Sequence, residues 1–170
     1  MRPSRIFTVR SNAGFILLAA ILTAGSLPGY AAGNTARVAL ENAIETAKQW
    51  RPDAVLTSIY TTTADIDGKA LSWSYGFYSP KAASYLNVTA RGRSIETLEI
   101  AVGQTAAVSS DFVDSNLAVA EATKAGIKAD AMRMRLTKTE WLVNSGDQKG
   151  ALTIWLNPRT GKLIKRQTVQ

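Results

Sequence analysis

Asp65 with Asp67, and Asp111 with Asp114, are the carboxylate pairs that could share acid–base work, as the paired acids of glycosidases do. Each has a structural alternative. Asp65 and Asp67 flank Gly68, and Asp is favoured in such turns because it hydrogen-bonds nearby backbone. Asp111 and Asp114 precede a helical pattern, where Asp caps orphan N–H groups and complements the helix dipole. Asp65-Ile66-Asp67-Gly68 begins like a calcium loop but lacks the later ligands and the bidentate Glu that complete one. Ser79 and Lys81, a formal Ser/Lys dyad, sit in the turn Ser79-Pro80-Lys81-Ala82. There is no histidine, which removes the commonest general base and zinc ligand, and no cysteine, which removes thiol chemistry. Gly146 and Gly150 lack the Gly-Lys-Ser/Thr ending of a phosphate loop. Asn87-Val88-Thr89 matches a glycosylation acceptor but falls within a strand pattern. The expectation is a protein that is not an enzyme, with no catalytic residue, metal or cofactor.

The elements that would hold any site begin after a leader. Arg2, Arg5 and Arg10 precede the apolar run Ala13–Leu22, and Gly29, Ala31 and Ala32 supply small residues after it. This is the three-part pattern of a secretory signal peptide. Cleavage after Ala31 places Ala31 and Gly29 in the peptidase's small pockets, and cleavage after Ala32 is second choice because Tyr30 is bulky. The apolar run is shorter than the roughly 20 residues of a spanning helix. The expected location is a bacterial periplasm or the exterior, with no stable membrane insertion after cleavage and no lipidated cysteine. The whole chain carries a net charge of +7; without the three leader arginines, seventeen basic and thirteen acidic residues leave +4. That balance lacks the dense Lys/Arg stripe of a nucleic-acid binder.

The mature part reads as α+β, a helix packed on an antiparallel sheet, used twice in tandem. The first unit spans 32–105. Asn34 or Thr35 caps a helix to Trp50, whose apolar stripe is Ala36, Ala39, Leu40, Ala43, Ile44, Ala47 and Trp50. Strands follow over 54–61, 71–78, 85–89 and 95–102. In 71–78, Trp73, Tyr75 and Phe77 alternate with Ser72, Ser74 and Gly76 and form the core face. The second unit spans 111–170. Asp114 or Ser115 caps a helix through Ala118, Val119 and Ala122 that ends at Gly126, and strands follow over 132–136, 140–144, 151–156 and 163–168. Trp73 and Trp141 are 68 residues apart and Gly92 and Gly161 are 69 apart, each in the same place in the element order. A duplicated unit explains both spacings.

Over 114–170 the chain resembles the PepSY domains of peptidase propeptides and exported bacterial proteins. The likeness rests on the hairpin Asn157-Pro158-Arg159-Thr160-Gly161-Lys162-Leu163 and on Ala118-Ala122-Gly126-Ile127 in the opening helix. The first half shares only the element order, because Arg91-Gly92-Arg93 lacks the Thr-Gly pair. The resemblance implies a non-catalytic module that inhibits, chaperones or regulates a peptidase.

The candidate surface is a sheet face. Arg133 and Arg135 alternate with Met132, Met134 and Leu136; Trp155 lies opposite Leu152, Ile154 and Leu156; Tyr85 lies opposite Leu86 and Val88. Aromatics with Arg anchor protein interfaces, so Trp155, Arg133, Arg135 and Tyr85 are the candidate partner-binding residues. Strand propensity and solubility are the competing explanation, and the other repeat could equally cover these side chains. The leading expectation is an exported non-catalytic module acting on a protein partner. The alternatives are a periplasmic small-ligand carrier with an apolar Trp- and Tyr-lined pocket between the repeats, and a carboxylate-based hydrolase.

Overall fold

The computed structural model describes residues 33–170, so the leader and the cleavage positions Ala31 and Ala32 lie outside the described residues. Two α-helices, α1 (Leu40–Trp50) and α2 (Ser115–Lys124), pack on one face of an eight-stranded antiparallel sheet. The strands are β1 (Val55–Ala64), β2 (Ser72–Ser79), β3 (Ser84–Arg91), β4 (Ser94–Ile100), β5 (Met132–Leu136), β6 (Trp141–Asn144), β7 (Leu152–Leu156) and β8 (Leu163–Thr168). Their order across the sheet is β4-β3-β2-β1-β5-β6-β7-β8. Each half is a meander, and the order mirrors itself about a central seam where β1 pairs antiparallel with β5. The two helix-plus-four-strand halves therefore form one sheet.

The first helix begins later than the sequence pattern suggests, because Asn34, one of its two expected caps, is engaged elsewhere. Asn34 exchanges both backbone hydrogen bonds with Ala70 at 2.9 Å, and its carbonyl also accepts the Trp73 indole N–H at 2.7 Å. That holds Asn34 extended, and two tight turns, Val38 N–H to Thr35 and Leu40 N–H to Arg37, lead into the helix. Ala39 takes the N-cap position with no side-chain cap. Leu40, Ala43 and Ala47 face the sheet, whereas Ile44 is 36% exposed at the edge of the stripe.

The second helix follows its sequence signals. The Asp114 carboxylate accepts the N–H of Ser115 at 2.7 Å and, from the other half, the N–H of Arg37 at 3.2 Å. At its far end Gly126 has φ +110, and the Ile127 N–H reaches back to the Ala122 carbonyl at 3.1 Å. This left-handed ending satisfies carbonyls the helix leaves open.

The core lies between helices and sheet and crosses the seam. Trp73, Tyr75 and Phe77 are buried from one half; Met134, Trp141, Val143 and Ile154 are buried from the other. Trp73 and Trp141 meet edge to face with ring centroids 6.5 Å apart, and Phe112 meets Trp141 in the same manner at 6.3 Å. Each indole N–H is bonded to the backbone just before a helix: Trp73 to Asn34, and Trp141 to Val113 at 2.8 Å. The two tryptophans thus play matching roles in the two halves.

Further ties join the halves at the start of α2. Ser115 Oγ accepts the N–H of Ala36 at 3.0 Å and donates to the Gly68 carbonyl at 2.6 Å. Arg37 stacks over the Phe112 ring at 4.0 Å and donates to the carbonyls of Ser110 and Phe112. The connection between β4 and α2 is thereby pinned to the first half.

Candidate functional site

Both helices cover the same face of the sheet, so the opposite face is left to solvent. Alternation sends Ser58, Tyr60, Tyr78, Tyr85, Asn87 and Leu98 of the first half to that open face. Arg133, Arg135, Leu142, Thr153 and Trp155 of the second half join them. Neither repeat covers them. The halves meet edge to edge, and Trp73 and Trp141 fill the shared core instead of lining a space between the repeats.

Two depressions lie over the middle of the open face. The larger, about 540 Å³, lies over β1, β5, β6 and β7 and is lined chiefly by Tyr60, Arg133, Arg135, Leu142 and Trp155. The smaller, about 230 Å³, lies over β1 to β4 between Tyr60, Tyr85, Asn87 and Leu98. Gly76 forms part of its floor; a Cβ there would come within 2.4 Å of Ser58 Oγ. Tyr60 borders both depressions, and its hydroxyl accepts from Asn87 Nδ2 at 3.3 Å.

The structure brings three of the four expected residues into one groove. Arg133 is ion-paired with Asp147. Trp155 carries the Lys165 ammonium 4.8 Å above its ring. Arg135 is exposed and makes no ion pair among the described residues. Tyr85 lies in the smaller depression, stacked on Tyr78 at 4.9 Å. Sequence reasoning missed Tyr60, which joins the two depressions. Its alternation with the buried Ile59 and Thr61 was the available signal, and the uniform run Thr61-Thr62-Thr63 that follows obscured it.

The carboxylates are engaged structurally. Asp65 accepts the N–H groups of Asp67 and Lys69, both at 2.9 Å, closing its turn, and Asp67 lies 3.8 Å from the Lys69 ammonium. A hydrogen bond from Ser109, then the Arg159 guanidinium 3.2 Å away, hold Asp111 below the usual carboxylate range. Asp114 caps α2. The Lys81 backbone N–H, 2.9 Å away, and the Ser79 hydroxyl likewise depress Asp53, which anchors the β2–β3 turn. Among the described residues no three metal-ligating side chains cluster, and no helix is long and apolar enough to cross a membrane. A cleft of about 430 Å³ lies where Val108–Phe112 meets Thr137–Thr139 and Pro158; its charged lining is Lys138 and Arg159, and Arg159 is engaged by Asp111. The open-face groove differs in setting Arg135, unpaired among the described residues, beside Tyr60, Leu142 and Trp155.

No family model and no curated protein sequence matches this chain. Among solved structures it is similar to a chain from Clostridium difficile 630 described as a putative lipoprotein, at a TM-score of 0.52 and 11% identity, over 76% of this chain and 91% of that one. At that identity the likeness is one of fold.

Proposed function

We propose that this chain is an exported, non-catalytic binding module of PepSY-like build that regulates a protein partner, a peptidase in the first instance, through the open face of its sheet. One observation carries the reading. Both helices lie on one side, and the other side keeps an uncovered set of Tyr60, Arg135 and Trp155, the residue types that dominate interface energetics. A sheet that only needed solubility would place polar side chains there, not a groove floored by Leu142 and walled by aromatics.

The leader supports export to a periplasm or beyond, and the fold neighbour's description as a putative lipoprotein agrees with it. This chain has no cysteine to carry a lipid. The helix-on-sheet plan of each half is what the PepSY resemblance implies.

The test is affinity capture from the exported fraction with the mature chain as bait, run in parallel with Trp155→Ala and Arg135→Ala. The expected result is a protein recovered by wild type and lost by both variants at unchanged Tm. Equal recovery by all three baits would refute the open face as the binding surface. Recovery of a small molecule alone would favour a ligand carrier.

A further inference from the structure

We infer that the groove over β1, β5, β6 and β7 accepts an acidic, extended peptide segment of the partner, with a carboxylate on Arg135 and a neighbouring apolar side chain against Leu142 and Trp155. This rests on the open face being the binding surface and adds the chemistry of what it binds.

The strand register sets the geometry. Tyr60 pairs with Arg135, Arg135 with Leu142, Leu142 with Trp155, and Trp155 with Lys165. These five side chains form one row perpendicular to the strands. Neighbouring strands lie about 4.8 Å apart, so Arg135 and Trp155 are separated by roughly 10 Å. Extended chain advances about 3.3 Å per residue. An acidic residue on Arg135 therefore places the side chain two or three residues away over Trp155.

Charge selects the occupant. Around this groove Arg133, Arg135 and Lys165 face Asp147, and at the end where Arg135 borders the β5–β6 turn Glu140 is offset by Lys138. The strands of the other half send one cation, Arg91, and one carboxylate, Glu96, to the open face, so the count there is even. The excess positive charge is thus confined to the second half. Within it, Arg133 is engaged by Asp147 and Lys165 lies over Trp155, which leaves the Arg135 guanidinium to meet an incoming anion. Guanidinium matches a carboxylate bidentately, and the flanking Tyr60 and Leu142 lower the local dielectric and strengthen the pair. The row has no wall at either end, which suits a chain segment better than a compact anion.

The experiment is selection of a random decapeptide display library on the immobilised mature chain, followed by fluorescence-anisotropy titration of the selected peptides. Folding of each variant is checked by its CD melt. Support is enrichment of Asp or Glu with an apolar residue two or three positions away. Arg135→Ala should weaken those peptides tenfold to a hundredfold, the range of a hydrogen-bonded charge. Arg135→Glu should bind a peptide whose acid is replaced by Lys better than it binds the parent. Selected peptides without acidic enrichment but weakened by Trp155→Ala would overturn the acidic occupant and leave the open-face reading standing. Acidic peptides indifferent to both Trp155→Ala and Arg135→Ala would overturn both. Failure to select any peptide overturns the inference while protein capture by the open face stands or falls separately.

Discussion

Replacing Trp73 and Trp141 by Leu, singly and together, tests whether the two halves share one cooperative core. Each indole is buried and donates to a backbone carbonyl: Trp73 to Asn34, which also accepts from Ala70, and Trp141 to Val113. Shrinking a buried Trp to Leu costs about 2–4 kcal/mol in lost burial and cavity. Leaving the Val113 carbonyl without a donor adds about 1–2 kcal/mol for Trp141→Leu, whereas Asn34 keeps the Ala70 N–H. Trp73→Leu should therefore lose about 2–4 kcal/mol and Trp141→Leu about 3–6 kcal/mol, a large share of the roughly 5–15 kcal/mol expected for a domain. Trp141→Leu should be the worse of the two, because Trp141 contacts both Trp73 and Phe112 edge to face. An edge-to-face aromatic pair contributes about 0.5–1.5 kcal/mol beyond area. The double variant should thus lose about 1 kcal/mol less than the sum of the singles. Urea unfolding followed by far-UV CD reads all four proteins without relying on tryptophan fluorescence. Additivity within about 0.3 kcal/mol, the behaviour of independent sites, would refute the shared core. So would two separate transitions in the wild type.

Asp114→Ala removes the cap of α2 and its bond to Arg37, and should cost about 1–2 kcal/mol by denaturation; Asp114→Asn should retain most of that. Gly68 has φ +72, and a Cβ there would lie 2.5 Å from the Ser115 carbonyl oxygen. Gly68→Ala should therefore destabilise by at least about 2 kcal/mol, with an unchanged Tm as the refuting result. Burial raises the Tyr75 hydroxyl above its ordinary value near 10, so its stabilising contribution is present below pH 10 and lost as pH rises beyond it. Tyr75→Phe should be less stable at pH 7, lacking the bond to the Ala36 carbonyl, yet lose less on going to pH 11. Asp53 and Asp111 are depressed, so their contributions are present above the usual value near 3.8 and fade as pH falls below it. The Tm of Asp53→Asn should therefore drop less than that of wild type between pH 5 and 2.

The strands and their inward faces were legible because alternation is strict where one face is covered. Met132, Met134 and Leu136 against Arg133 and Arg135 is the clearest instance. The Asp114 cap and the Gly126 ending were legible because those residues act on their own neighbours in sequence. The late start of α1 was not, because Asn34 is withdrawn by a bridge to Ala70, more than thirty residues away. The β1–β5 seam was equally hidden. Local pattern shows that a strand has a partner without naming it, so one sheet and two sheets read alike. The site followed the same division. Arg133, Arg135 and Trp155 were each readable as outward-facing, but only the register places Arg135 and Trp155 in one row with Tyr60. Phe112, a lone aromatic in an aperiodic stretch, gave no sign of entering the core under Arg37.

The seam between β1 and β5 is the kind of antiparallel contact through which two separate copies of a half could pair as a symmetric dimer. Here the segment between Ile100 and Ser115 joins the partners covalently. A tether of that length holds its two ends at an effective concentration on the order of millimolar. The pairing therefore survives dilution, under which a dimer of halves would come apart. It also frees the two halves to diverge, so that one could acquire the excess positive charge while the other stayed balanced, something an identical pair could never do.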